Sequence, residues 1–117
     1  MKYMLNIFTD ERARTDATPE QIRETMEAYG AFGKEIEDKG IYLAGEGLQP
    51  TATATTVQVR DGETIITDGP FAETREQLIG IFIISARDLN EAIQVAAQMP
   101  QARGGPIEVW SIQELDH

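Results

Sequence analysis

An alternating pattern at the N-terminus gives way to a long helical pattern. Residues 2–8 predict a strand with Tyr3, Leu5 and Ile7 on one face and Met4 and Phe8 on the other. Residues 9–17 are charged and rich in Ala and Thr, and they predict a loop. A helix is predicted from Thr18, because Pro19 suits the first helical position and Gln21 completes a capping box. Its apolar stripe consists of Ile22, Met26, Tyr29, Phe32 and Ile36.

The middle of the chain predicts a β-hairpin. Residues 41–48 indicate a short strand that runs into a glycine-containing bend, and residues 54–60 alternate between apolar and polar positions. Asp61-Gly62 favours a two-residue turn with positive φ angles. That turn predicts the pairs Arg60 with Glu63, Val59 with Thr64 and Val57 with Ile66, which match in character.

The last third of the chain predicts two strands separated by a helix. Residues 72–78 indicate a polar connector, and residues 79–86 are nearly all apolar, which is typical of a strand buried on both faces. Asp88 is the expected cap of a second helix that ends at Pro100. A final strand is predicted over residues 106–113.

This order of elements predicts one domain, residues 1–117, of the α+β class. It matches a ferredoxin-like βαββαβ plan with an inserted β-hairpin. Two helices can cover only one face of an antiparallel sheet, yet the predicted strands carry apolar residues on both faces. A second copy packed sheet to sheet would cover the open face and make a homodimer. The alternative is that the open face binds a ligand.

Composition and charge exclude several classes of function. Asp and Glu number 20 against 10 Lys and Arg, and the net charge of −10 argues against nucleic acid or an anionic membrane as partner. The chain has no Cys, and its one His is residue 117, so thiolate chemistry and an internal imidazole are excluded. The N-terminus does not resemble a signal peptide, and we expect a cytoplasmic protein. No ligand spacing resembles a metal loop, so we predict no metal and no cofactor.

The most distinctive short motif is Asp68-Gly69-Pro70-Phe71. In one interpretation it is a turn in which Asp68 accepts backbone N–H groups and Phe71 fills the core. In the other, Asp68 lies at the rim of a cleft as a general base or binding carboxylate. Both interpretations remain open on the residues alone.

Five further residues are candidates for substrate binding. Glu46 lies between Gly45 and Gly47, which would permit either a β-bulge or close approach of a ligand. Arg75 could be solvated, pair with Asp68 or hold an anionic substrate. Arg103 lies in a glycine-containing loop, where it could clamp a carboxylate. The remaining two, which could line a cleft beside Asp68, are Tyr42 and Phe71.

Residues 68–74, read as DGPFAET, resemble the signature of the DGPF subgroup of YCII-related domain proteins. The resemblance extends over the whole chain and includes residues 2–5, 29–32, 45–50 and 107–109. It implies a dimeric α/β-barrel built on a ferredoxin-like monomer. It also implies a bacterial protein from a group whose members are largely of unknown function.

The same resemblance implies two different kinds of function. The wider group was proposed to be enzymatic because of a His–Asp pair, of which only Asp68 is present here, since Gly104 stands where many relatives have His. The first hypothesis is therefore a protein that binds or acts on a small molecule in a cleft near Asp68, Glu46 and Arg103. Many DGPF proteins resemble neighbours of extracytoplasmic-function sigma factors. The second hypothesis is therefore a non-catalytic accessory protein with such a sigma factor as partner.

Overall fold

The computed structural model describes residues 1–115, so the single histidine lies outside the described part of the chain. It is a mixed α+β structure with antiparallel strands. The strands are β1 (Lys2–Asp10), β2 (Tyr42–Gly47), β3 (Thr55–Arg60), β4 (Glu63–Asp68), β5 (Glu76–Ser85) and β6 (Ile107–Ser111). The helices are α1 (Glu11–Thr15), α2 (Pro19–Asp38) and α3 (Leu89–Ala97), with short 3-10 turns at Thr51–Thr53 and Pro100–Arg103.

Four strands form the main sheet, in the order β2-β5-β1-β6, and its core lies against α2 and α3. Alternation along β1 turns Tyr3, Leu5 and Ile7 toward the helices, and all three are buried. The same core contains Phe82 and Ile84 of β5, and from the helices Phe32, Ile36, Ala92, Val95 and Ala96. Both helices therefore cover the same face of the sheet.

The other face of the sheet, which we call the open face, is covered by no element of residues 1–115. It carries Met4, Asn6, Ile81, Ile83 and Trp110, which alternate with the core residues of their strands. The isoleucines of β5 on this face are half-buried, so β5 is buried on one face and not on both as predicted. Trp110 is 54% exposed.

Side-chain caps account for the positions at which α2 and α3 begin. The Thr18 hydroxyl accepts from the Gln21 backbone N–H at 3.1 Å, and the Gln21 side chain accepts from the Thr18 backbone N–H at 2.9 Å. This confirms the predicted capping box. The Asp88 carboxylate likewise accepts from the Glu91 N–H at 2.9 Å, which confirms the predicted cap of α3.

Strands β3 and β4 form a separate two-stranded sheet, which we call the arm (residues 55–68). The predicted register is confirmed, because Arg60 lies opposite Glu63, Val59 opposite Thr64 and Val57 opposite Ile66. Asp61 has φ 51° and Gly62 has φ 78°, as a primed turn requires. The radius of gyration is 16.2 Å, against roughly 13 Å for a compact chain of this length, which agrees with an arm that projects from the main body.

Two stretches that the sequence predicts as loop contain regular secondary structure. Residues 9–17 were predicted to be a loop, but β1 continues to Asp10 and α1 follows at once. Asp10 caps that helix by accepting from the Arg12 N–H at 2.9 Å. Residues 76–78 were predicted to be a connector, but they belong to β5 and pair with the end of β1.

The N-terminal half of α2 also departs from prediction. Phe32 and Ile36 are buried, but Ile22 is 46% exposed and Met26 is 68% exposed. The apolar stripe therefore continues past the end of the core. Among the described residues, no helix is both long and apolar enough to cross a membrane.

Candidate functional site

A cavity of about 880 Å³ lies beneath the N-terminal half of α2. We call it the α2 cavity. Its walls come from the end of β1, α1, α2, the end of β2 and the 3-10 turn Pro100–Arg103. Most of the wall is apolar, and the larger apolar side chains are Phe8, Ile22, Met26, Leu48, Pro50 and Ile79. The volume falls within the range of about 300–1,000 Å³ that is usual for small-molecule sites.

The α2 cavity exists because α2 is longer than the core that it covers. The helix has 20 residues, and its C-terminal half packs on the sheet through Phe32 and Ile36. The N-terminal half lines the same cavity as α1 and the end of β2, so Ile22 and Met26 face the cavity instead of filling the core. A periodic stripe in the sequence does not distinguish these two environments.

Two polar side chains in the cavity wall have unused hydrogen-bonding capacity. Arg14 donates through Nη2 to the Leu48 carbonyl, but its buried Nη1 has no partner among residues 1–115. Gln101 has neither an acceptor for Nε2 nor a donor for Oε1 in that part of the chain, although both atoms are buried. Buried polar atoms are nearly always paired, so these atoms are available to a molecule bound in the cavity or to an ordered water.

Glu11 holds α1 against the segment that follows β2. Its Oε1 accepts from the Thr51 backbone N–H at 2.9 Å and from the Thr51 hydroxyl at 2.6 Å. These two hydrogen bonds, with a smaller contribution from Arg14, hold the pKa of the Glu11 carboxyl below its ordinary value of 4.5. The contact fixes one wall of the α2 cavity, although its partners are 40 positions apart in sequence.

A second cleft, which is polar, lies at the C-terminal end of β1. It contains Asp10, Arg75 and Arg103. Arg75 Nε donates to Asp10 Oδ2 at 2.8 Å, and this hydrogen bond lowers the pKa of Asp10 and raises the pKa of Arg75. Two of the six site residues predicted from sequence, Arg75 and Arg103, therefore lie together. Arg75 pairs with Asp10 and not with Asp68.

Asp68 and Phe71 lie away from both cavities. Asp68 ends β4 and is exposed, and Phe71 is 80% exposed. The prediction that Phe71 fills the core is therefore wrong for the single chain. The base of the arm is held instead by Gly69, whose N–H donates to the Ala54 carbonyl and whose carbonyl accepts from the Thr56 hydroxyl, each at 2.8 Å.

Tyr42 and Glu46 occupy opposite faces of β2. The ring of Tyr42 packs edge-on against the ring of Phe82, with 6.0 Å between the ring centroids, and it packs against the core. Glu46 lies opposite Ile81 and is exposed on the open face. A β-bulge does occur in this strand, but between Tyr42 and Ala44. Glycine is needed at position 45 for packing and not for a bulge. A Cβ there would come within 2.7 Å of the Phe82 ring.

The residues that sequence reasoning missed are Arg14 and Gln101. Arg14 lies in the predicted loop of residues 9–17 and Gln101 in the predicted loop of residues 101–105, and most polar side chains in loops are solvated. No pattern in the sequence separates these two residues from solvated loop residues.

Comparison with known families and proteins finds matches over most of the chain. The YCII-related domain matches residues 1–116. An uncharacterized protein from Rhizobium meliloti (strain 1021) is 33% identical over 102 residues, which are 87% of this chain and 82% of that protein. The family match extends over the α2 cavity, the arm and the main sheet together. The chain therefore belongs to the YCII-related domain family.

Proposed function

We propose that this YCII-related protein binds a small, largely apolar molecule, and that the molecule occupies the α2 cavity. The observation that carries the proposal is the cavity itself, with its volume of about 880 Å³ and its mainly apolar wall. A ligand there would cover Ile22 and Met26, the two exposed members of the α2 stripe. Their burial would contribute roughly 25 cal/mol for each Å² of apolar surface removed from water.

A matched pair of substitutions on α2 tests this proposal. Ala28 lines the cavity, whereas Ala31 is exposed on the same helix and does not. Ala28→Phe should fill part of the cavity and abolish the rise in Tm that 1-octanol produces, because binding to the native state raises apparent stability. Ala31→Phe has the same cost in helix propensity and should keep the rise. An equal rise in both variants, or none in the unmodified protein, would contradict the proposal.

The proposal includes a homodimer of the ferredoxin-like kind, within the DGPF subgroup. The strand order β2-β5-β1-β6 agrees with that plan, with the arm as the inserted hairpin. The open face offers an apolar surface, and Asn6 Oδ1 on that face is buried without a partner among residues 1–115. A second copy packed face to face would bury Trp110 and complete a dimeric α/β-barrel.

Asp68 as a proton acceptor remains a prediction that depends on this dimer. In a single chain its carboxylate is exposed at the base of the arm. A cleft around it would need atoms from a second copy. The arm supports such an arrangement, since Val57, Val59 and Ile66 form an exposed apolar face beside it.

An accessory role beside a sigma factor is the second candidate function. The observation that favours it is again the exposed apolar face of the arm, which suits a protein partner. A pull-down with the arm variant Val59→Lys as control separates the two roles. Capture of a sigma factor that Val59→Lys abolishes, with no effect of 1-octanol on Tm, would favour the accessory role over ligand binding.

A further inference from the structure

Gln101 carries the first indication of what the α2 cavity binds. Its side chain belongs to the cavity wall, and its amide nitrogen and oxygen are both buried without partners among residues 1–115. An amide can donate two hydrogen bonds and accept two, so its pairing needs a group that both accepts and donates. A hydroxyl or an amide on a ligand has that capacity, and a purely apolar molecule does not.

Arg14 carries the second indication. Its guanidinium has N–H donors and no acceptor, and Nη1 is buried without a partner in the described chain. Within residues 1–115 no carboxylate lies within ion-pair distance of it. Glu11, the acidic residue of the same helix, accepts from Thr51 through Oε1, and its buried Oε2 has no hydrogen-bond partner among residues 1–115 and makes no ion pair with Arg14. A guanidinium with a free N–H in a largely apolar wall favours a carboxylate ligand.

We infer that the α2 cavity binds an apolar organic acid that carries a second polar group. The carboxylate accepts from Arg14, the apolar body lies against Ile22 and Met26, and a hydroxyl or amide pairs with Gln101. This inference rests on the proposed function, because it names the ligand class of the same cavity. Among the described residues that line the cavity Arg14 is the one cation, and Glu24 belongs to the same wall, so a second carboxylate would have no partner and the ligand is a monoacid.

Three probes of equal chain length test the assignment by calorimetric titration. They are 1-octanol, octanoate and 8-hydroxyoctanoate. We expect octanoate to bind more tightly than 1-octanol, because a hydrogen bond to a charged group is stronger than a neutral one. We expect 8-hydroxyoctanoate to bind more tightly than octanoate, since its hydroxyl pairs with Gln101. Tighter binding of 1-octanol than of octanoate would overturn the inference and leave the proposed function standing.

Substitutions in the wall of the α2 cavity test whether Arg14 selects the carboxylate and whether Gln101 selects the hydroxyl. Arg14→Gln should raise the Kd of octanoate about tenfold and leave that of 1-octanol unchanged. Arg12→Gln is the matched control, since Arg12 is exposed on the same helix and does not line the cavity. Gln101→Met should remove the advantage of 8-hydroxyoctanoate over octanoate, and Gln98→Met, at an exposed position, should keep it. Equal octanoate affinity in the Arg14 and Arg12 variants would overturn the role of Arg14.

A measurement on the unmodified protein covers the case in which Arg14→Gln does not fold. Octanoate should shift the guanidinium nitrogen resonances of Arg14 in an NMR titration, whereas 1-octanol should not. The same shift with both probes would overturn the assignment. Absence of binding by all three probes would instead contradict the proposed function, so the two failures are distinguishable.

Discussion

Glu11 shows how one side chain can join segments that are distant in sequence. Its carboxylate binds the backbone and hydroxyl of Thr51, and together they set the position of α1 beside the α2 cavity. The pattern around Glu11 indicated only a charged loop, because a partner 40 positions away is invisible to local rules. The capping box at Thr18 could be predicted for the opposite reason, since all of its atoms lie within four consecutive residues.

The lowered pKa of Glu11 predicts acid sensitivity. A carboxyl with a depressed folded-state pKa contributes stability above its ordinary value of 4.5, and the contribution is lost as pH falls through the folded-state value. The difference in Tm between the unmodified protein and Glu11→Ala should therefore be largest above pH 4.5 and shrink below it. Thermal unfolding from pH 3 to pH 7 measures this. A difference in Tm that is independent of pH would show that ionisation of Glu11 does not contribute to the stability of the folded state.

Tyr29 predicts a separate effect in alkali. Burial against Phe82 raises its pKa to about 12, so its neutral form is favoured in the folded state. Its contribution to stability is present below the ordinary value of 10.0 and is lost as pH rises toward 12. Absorbance at the tyrosinate band should show no difference between the unmodified protein and Tyr29→Phe until the pH exceeds 10. A difference in absorbance below pH 10 would mean that the Tyr29 ring is solvated.

The elements differ in how far their own sequences determine them. The arm could be predicted residue by residue, because Asp61 and Gly62 select the turn and the turn selects the register. The start of β5 could not, because residues 76–78 become a strand only by pairing with the end of β1. The exposure of Ile22 and Met26 was equally hidden, since it depends on where the sheet ends under α2.

Gly62→Val should destabilise the arm specifically. Gly62 has φ 78°, a conformation that a β-branched residue resists at a cost of about 1 kcal/mol or more. Because the arm is a sheet of its own, the loss should appear in its amide hydrogen exchange, as protection lower by about fivefold in residues 55–68, with little change in the main sheet. Gly62→Asn, which tolerates positive φ, is the control. Unchanged protection in the valine variant would contradict the observed turn.

At the scale of the whole molecule, the proposed ligand site and the proposed dimer surface lie on opposite sides of one sheet. The α2 cavity is on the helix side, and Met4, Ile83 and Trp110 are on the open face. The order of the predicted elements indicated an open apolar face, because two helices cannot cover both sides of a sheet, and the structure has such a face. The position of the cavity could not be predicted, since it depends on how three separate segments meet.

The open face predicts the mass of the protein in solution. Light scattering should give twice the chain mass of 13.0 kDa at micromolar concentration, with at least about 1,200 Å² buried between copies. Trp110→Glu should shift the protein to the monomer, because it places a charge in the proposed interface. Leu89→Glu, at an exposed position on the helix side, should leave the dimer intact. A monomeric unmodified protein would exclude this assembly.

The central claim is that a small molecule binds beneath α2, and backbone NMR tests it most directly. Titration of the ¹⁵N-labelled protein with 1-octanol should shift the amide resonances of residues 13–17, 22–28 and 101–104, which surround the α2 cavity. Resonances of the arm, residues 55–68, should remain in place. No shift at any concentration of 1-octanol, or shifts confined to the arm and the open face, would contradict the account.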